Sequence, residues 1–197
     1  MNLFTQLYWM RRFSSTKRFH GIRLLNSETV SHHSANMILI IVQAFEKPSV
    51  ELLTAAVMHD IPEGVTGDIP APVKWALRED KAFDFSILEN QIFEFLHMKF
   101  PQLTNDELMM LKAADFIDAA FTCLLERANG NREVDWVFHN YACFEGKSRL
   151  LNGFRKLKDI WLDIKQSYDA LQRQEIPVLL NDAEKVNFWE QNESHRD

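Results

Sequence analysis

Helical periodicity runs through most of this chain, and only six glycines and six prolines interrupt it in 197 residues. Apolar residues that recur every three to four positions, over windows longer than a strand, call for helices that each bury one face. No alternating run competes, so the spacing predicts an all-α fold, a single-domain helical bundle. A short amphipathic helix is expected over 2–13 and a polar loop over 14–30. Ser31 is placed to cap a helix from His32 to Phe45 with Met37, Ile40 and Ile41 on its apolar face. Lys47-Pro48 ends it, and Ser49 caps the next helix through Asp60. The stretch IPEGVTGDIPAPVKWAL, rich in Pro and Gly, predicts a structured loop feeding a helix that starts near Pro72.

Helical pattern returns over 83–99. Thr104 and Glu107 form a capping-box signature for a long helix that Asn129-Gly130-Asn131 stops. Two further helices are expected over 133–143 and 148–174. Residues 1–175 then make one domain, and 176–197 a polar C-terminal tail with one apolar patch, IPVLL. Trp75, Phe93, Phe116 and Phe121 occur at helical spacing and read as core.

The net charge of −6 argues against a nucleic-acid polymer as partner, since such proteins carry a basic face. A small polyanion remains open to a metal and a few placed cations. Cys123 and Cys143 match neither zinc-finger spacing nor a disulfide framework, as expected of a reduced compartment. The longest apolar run, Met37 to Val42, falls far short of the ~20 residues a membrane helix needs, and no signal-peptide pattern opens the chain. A cytoplasmic protein without membrane contact is expected.

The chemistry concentrates in an ordered set: His33, the adjacent pair His59-Asp60, Glu63 and Asp115. An imidazole beside a carboxylate offers nitrogen and oxygen to one cation, and an earlier His and a later Asp can complete the shell from two other helices. Such ligation suits a divalent transition metal with positions left for water and substrate. Taken alone, a His-Asp pair closing a helix more often marks a C-terminal cation with a solvated neighbour.

Four blocks in order change that balance: KRFHGIRLLNSETVSHHS (17–34), AAVMHDIPEGVTGDIPAPVK (55–74), LKAAD (111–115) and ERANGN (126–131). Together they resemble the HD-domain phosphohydrolases, in particular the group of bacterial 5′-deoxynucleotidases and compact phage deoxyadenosine-triphosphate triphosphohydrolases. The resemblance implies His33, His59, Asp60 and Asp115 as ligands of one divalent transition metal (Co, Mn, Zn or Fe), with additional Mg on the substrate phosphates. Two neutral imidazoles and two carboxylates compensate a dication. His32 rivals His33, but helical neighbours point about 100° apart, and the position after ETVS matches His33.

By the same resemblance Glu63 acts as general acid/base, although Pro62 before it removes a backbone donor and bends or ends the helix. Asp68 could support a ligand, hold the substrate sugar or serve in the chemistry. Lys74 could meet phosphate as a point charge, and so could Lys112, three residues before Asp115 on one helix face. Arg18 offers bidentate phosphate recognition. Phe19 stands where the resembling proteins commonly have Trp; it keeps stacking but loses area and the indole donor, and a plain core role is the equal alternative. His20 and Gly21 could shape the base or sugar pocket.

These features imply hydrolysis of a deoxynucleotide at a phosphate ester. The short spacing from the His-Asp pair to Asp115 and the segment RFHG favour the phage type, which releases triphosphate from dATP or another dNTP. In that case the setting would be the host cytoplasm. The alternative is a 5′-deoxynucleotidase releasing orthophosphate from deoxynucleoside monophosphates. Readings of another class are a regulatory HD domain that binds a nucleotide as a signal and an interaction protein with a structural metal. Glu63 and the spare cations argue against both. Resembling proteins form dimers or rings, so a homo-oligomer is expected.

Overall fold

The computed structural model describes residues 1–70, 73, 74, 77, 84–175 and 177. Its helices are α1 (Leu3–Ser14), α2 (Val30–Ala44), α3 (Val50–Met58), α4 (Glu63–Thr66), α5 (Phe85–Phe95), α6 (Asn105–Ala128), α7 (Asp135–Ser148) and α8 (Arg155–Gln172), with a 3₁₀ turn at Leu150–Gly153 between the last two. Among the described residues no strand forms, and the fold is all-α, with one isolated antiparallel bridge between Lys17 and Thr29. Val73, Lys74 and Leu77 are helical. The tail expected beyond 175, the helix start at Pro72 and the core position of Trp75 lie outside the described residues, apart from Pro177.

Capping side chains set most helix starts. Ser49 accepts from the Leu52 amide, and the Thr104–Glu107 capping box is complete. The cap of α2 is Thr29, not Ser31: the chain already pairs there, with the Val30 amide donating to the Thr16 carbonyl at 2.9 Å. Ser31 is thereby drawn into the first turn.

Three ends differ from the spacing. α3 stops at Met58, because Pro62 has no amide to continue the ladder, and the chain turns before α4. α5 stops at Phe95: His97 adopts φ 53° and the Met98 amide returns to the Phe93 carbonyl, which closes the helix C-terminally. The helix expected over 148–174 is broken by Arg149 at φ 52°, and the 3₁₀ turn that follows carries Leu150 and Leu151 into the core. α7 runs on to Ser148, past the 143 expected.

α6 is the central helix. One side packs Phe116, Ile117, Ala120 and Cys123 with Phe138 of α7 and Leu157, Trp161, Ile164 and Tyr168 of α8. Another packs Leu111 and Ala114 against Met37 and Ile41 of α2 and Leu52, Ala55 and Ala56 of α3. Phe13, Met58, Ile61, Ile92, Phe93 and Leu96 form a third cluster. Phe93 and Phe116 are buried as expected, but Phe121 is exposed, on the open sector of α6 that Leu125 and Ala128 share. Phe13 is the buried residue of α1, whose Leu3, Phe4, Leu7 and Tyr8 are exposed. A Cβ at Gly64 would overlap the Phe13 ring, so the close approach of α4 to α1 requires glycine there.

Candidate active site

Three helices bring the predicted ligands together. His33 projects from the second turn of α2, His59 and Asp60 follow the end of α3, and Asp115 lies midway along α6. The two imidazole Nε2 atoms stand 3.3 Å apart. His33 Nε2 is 3.2 Å from Asp115 Oδ1 and 3.5 Å from Asp60 Oδ2, and His59 Nε2 is 3.3 Å from Asp60 Oδ1. His33 is fully buried, whereas the Asp115 side chain is 47% exposed and marks the open side. His32, the rival on the next position, is exposed.

The donor set fits a cation. His59 Nδ1 lies 3.1 Å from the Ala56 carbonyl, which can only accept, so Nδ1 carries the proton and Nε2 a lone pair. His33 Nδ1 lies 2.6 Å from Asp118 Oδ2 and donates to it. Both Nε2 lone pairs therefore face each other beside two carboxylates. Four acceptors without a proton between them are a seat for a metal ion, and three of them (His33, His59 and Asp60) already lie within 4.8 Å of one another.

Glu63 opens α4, where the chain restarts after Pro62, and is buried. Its Oε1 accepts from Lys74 Nζ at 3.0 Å, and its buried Oε2 has no hydrogen-bond partner among the described residues. Burial and the nearby Asp60 push this carboxyl up to about 8, against the pull of Lys74. Burial also works against the Lys74 ammonium, but Glu63 and Asp60 more than offset it and hold its pKa above the ordinary value.

Arg18 completes the electrostatics. Its guanidinium lies 3.6 Å from Glu28, 3.9 Å from Asp60 and 3.7 Å from Asp115, and Nη1 makes no hydrogen bond among the described residues. Burial opposes its charge, yet these carboxylates raise its pKa further. Glu28 in turn accepts from Thr122 Oγ1 at 2.6 Å. Phe19 follows at φ 55°, a strained conformation for a bulky residue, and its amide donates to Asp68 Oδ2 at 2.6 Å. This contact gives Asp68 a place the sequence did not suggest, holding the backbone of the loop that carries Phe19.

A cavity of about 350 Å³ joins these groups. Arg18, Asp60, Glu63, Lys74 and Asp115 line its polar end; Phe19, Ile22, Ile69 and Pro70 face Trp136, Val137, Asn140 and Tyr141 of α7 across the rest. Gly21 and Asp68 line it too. His20 does not; it is half exposed, with Nδ1 3.8 Å from Asp68. Lys112 is exposed and not among the lining residues, because three helical positions leave it some 60° from Asp115, outside the rim.

Sequence reasoning missed Asp118, Glu28 and the wall from α7. Asp118 is three residues beyond Asp115, a spacing that puts both on one helix face. The α7 residues carry no such signal.

Residues 5–144 match the family described as 5′-deoxynucleotidase YfbR-like. The 5′-deoxynucleotidase YfbR of Photorhabdus temperata is 28% identical over 149 residues, covering 64% of this chain and 75% of the relative. A 5′-deoxynucleotidase of Vibrio vulnificus is 28% identical over 147 residues, covering 63% and 75%. Among solved structures, a conserved hypothetical protein from Pyrococcus furiosus shares the fold with a TM-score of 0.58 at 19% identity, covering 80% of this chain and 98% of its own.

Proposed function

The chain belongs to the YfbR-like 5′-deoxynucleotidase family, and on that premise we propose that it hydrolyses deoxynucleoside 5′-monophosphates to deoxynucleoside and orthophosphate. The observation that carries this reading is the cavity lined by Arg18, Asp60, Asp115 and the buried Glu63–Lys74 pair, with His33 and His59 directly behind the two aspartates. A divalent transition metal held by those four residues would polarise a phosphate oxygen and acidify the attacking water.

The remaining work falls to the chain itself. Arg18, with donors not taken by hydrogen bonds on Nη1, presents a planar charge to the phosphate from the side of Asp60 and Asp115. Lys74 holds Glu63 by one oxygen, which fixes the other against the reacting centre. Water oxygen attacks phosphorus, the bond from phosphorus to the 5′ oxygen breaks, and the leaving oxygen needs the proton the water gives up. Glu63 takes that proton and returns it. Phe19 and the α7 wall receive the base and sugar.

Charge favours the monophosphate over the triphosphate expected from the segment RFHG. Among the described lining residues, Arg18 and Lys74 stand against Asp60, Glu63, Asp68 and Asp115. A dication offsets that excess of carboxylate and, even with Glu63 protonated, leaves only about one positive charge for three linked phosphates, whereas one phosphate carries about −2. The relatives from Photorhabdus temperata and Vibrio vulnificus, both named 5′-deoxynucleotidases, agree with the monophosphate.

The test is to incubate metal-loaded protein with each dNMP and dNTP and to resolve products by anion exchange. Deoxynucleoside plus orthophosphate from monophosphates is expected. Intact triphosphate from a dNTP would overturn the proposal.

A further inference from the structure

Asp115, Asp118, Thr122 and Glu126 recur every three or four residues along α6 and form a polar stripe that runs from the open side at Asp115 to the buried Glu126. The first two grip α2 and the last two the segment before it. Asp115 approaches His33 Nε2, Asp118 binds His33 Nδ1, Thr122 donates to Glu28, and Glu126 accepts from the Leu25 and Asn26 amides. Asp118 does not line the cavity and meets the cation seat only through the far nitrogen of His33, yet it is 3% exposed and makes a hydrogen bond of 2.6 Å.

We infer that Asp118 is a positioning residue for the metal centre, acting through His33. A neutral imidazole exchanges its proton between two nitrogens, and only the Nδ1–H form leaves Nε2 free to ligate. The His33 ring is fully buried, so water cannot choose the tautomer. With the wrong one, an Nε2–H would point into the seat, toward the His59 nitrogen 3.3 Å away. Asp118 accepts from Nδ1, which fixes both the tautomer and the ring plane and makes Nε2 a stronger donor to metal. The inference rests on His33 being a ligand and not on which nucleotide the site takes.

The test titrates metal-free protein with Co²⁺, read by calorimetry and by the visible d–d spectrum, for wild type, Asp118→Asn, Asp118→Ala, His33→Ala and the double variant His33→Ala/Asp118→Ala. Asp118→Ala is expected to weaken Co²⁺ binding about 10–100-fold and alter the spectrum. Asp118→Asn, which keeps an accepting oxygen, loses less. The double variant binds no more weakly than His33→Ala, since Asp118 acts through that ring. Wild-type Co²⁺ affinity and spectrum in Asp118→Ala, or additive losses in the double variant, would overturn the inference. Nitrogen-15 NMR of the wild-type metal-free protein decides independently of whether any variant folds: the His33 ring is expected to carry its proton on Nδ1, and a proton on Nε2 refutes it. None of these readouts needs a substrate, so failure here is distinct from failure of the nucleotidase reading.

Discussion

Glu63→Gln isolates the proton chemistry from metal binding. The substitution keeps the shape, and the Gln carbonyl can still accept from Lys74 Nζ, which sits 3.0 Å from Oε1. Glu63 is outside the ligand cluster, so metal content stays at the wild-type level. General acid–base catalysis contributes about 10²–10⁴-fold, which at 1.36 kcal/mol per tenfold is ~3–5 kcal/mol of barrier. kcat on the best dNMP therefore falls by about 10²–10⁴-fold with little change in KM. The same variant has a signature in the metal-free protein that no catalytic assay is needed to see. The folded-state pKa of Glu63 is raised from 4.5 to about 8 by burial and Asp60, so the folded chain holds this proton more tightly than the unfolded one. That contribution is fully present below pH 4.5 and is lost as pH rises to about 8. Wild-type Tm is expected to fall relative to Glu63→Gln across that window, measured by calorimetry in chelator. Normal turnover in the metal-loaded variant would refute the acid/base role, and parallel Tm–pH curves would refute the buried, raised carboxyl.

Three more outcomes follow from named contacts. Asp60→Ala removes the carboxylate whose Oδ2 approaches His33 and whose Oδ1 approaches His59, and metal content by elemental analysis and turnover are both expected at background. Phe19→Ala removes the proposed base platform; stacking is worth about 1–3 kcal/mol, so KM rises about 5–150-fold, and unchanged affinity across all four bases would abandon that role. Gly64→Ala drives a methyl group into Phe13; overpacking costs about 1–3 kcal/mol, which lowers Tm by ~2–12 °C for a chain of this size, and an unshifted Tm would show that α1 and α4 separate freely.

The helices were legible because burial on one face imposes a period, and two of the caps, at Ser49 and Thr104, because their side-chain chemistry is local. His33, His59, Asp60 and Asp115 were legible as types in order, and the structure brings them together. Lys112 was not, since sharing a face with Asp115 does not say which edge of that face reaches the cavity. The break at Arg149 was hidden because it depends on Leu150 and Leu151 finding the core, a tertiary demand that overrides local propensity. Glu28 was equally hidden: its partners Arg18 and Thr122 lie far apart in sequence, and no spacing connects them. The stripe on α6 was readable in principle, since acidic residues at helical spacing within an apolar run must bury their polar atoms against something.

What the sequence conceals most completely is how firmly the segment before α2 is held. Surface loops are ordinarily mobile, yet this one is tied at its neck by the Lys17–Thr29 bridge and by the Arg18 amide donating to the Glu28 carbonyl. It is tied again at Phe19 by Asp68, at Arg23 by Glu133 and Asn131, and at Leu25 and Asn26 by Glu126. These anchors come from α6, from the segment after it and from the segment after α4, so the loop hangs on the same helix that carries Asp115. On the proposed reading, Arg18 is therefore in place before a phosphate arrives, and binding energy is not consumed in ordering it. Surrounding carboxylates keep the guanidinium charged and near the reacting centre, but Nη1 makes no hydrogen bond to them. An arginine held by charge and left with a free donor can turn to a phosphate oxygen without first breaking a hydrogen bond there, which is the arrangement a substrate-binding cation requires in a site otherwise dominated by acids.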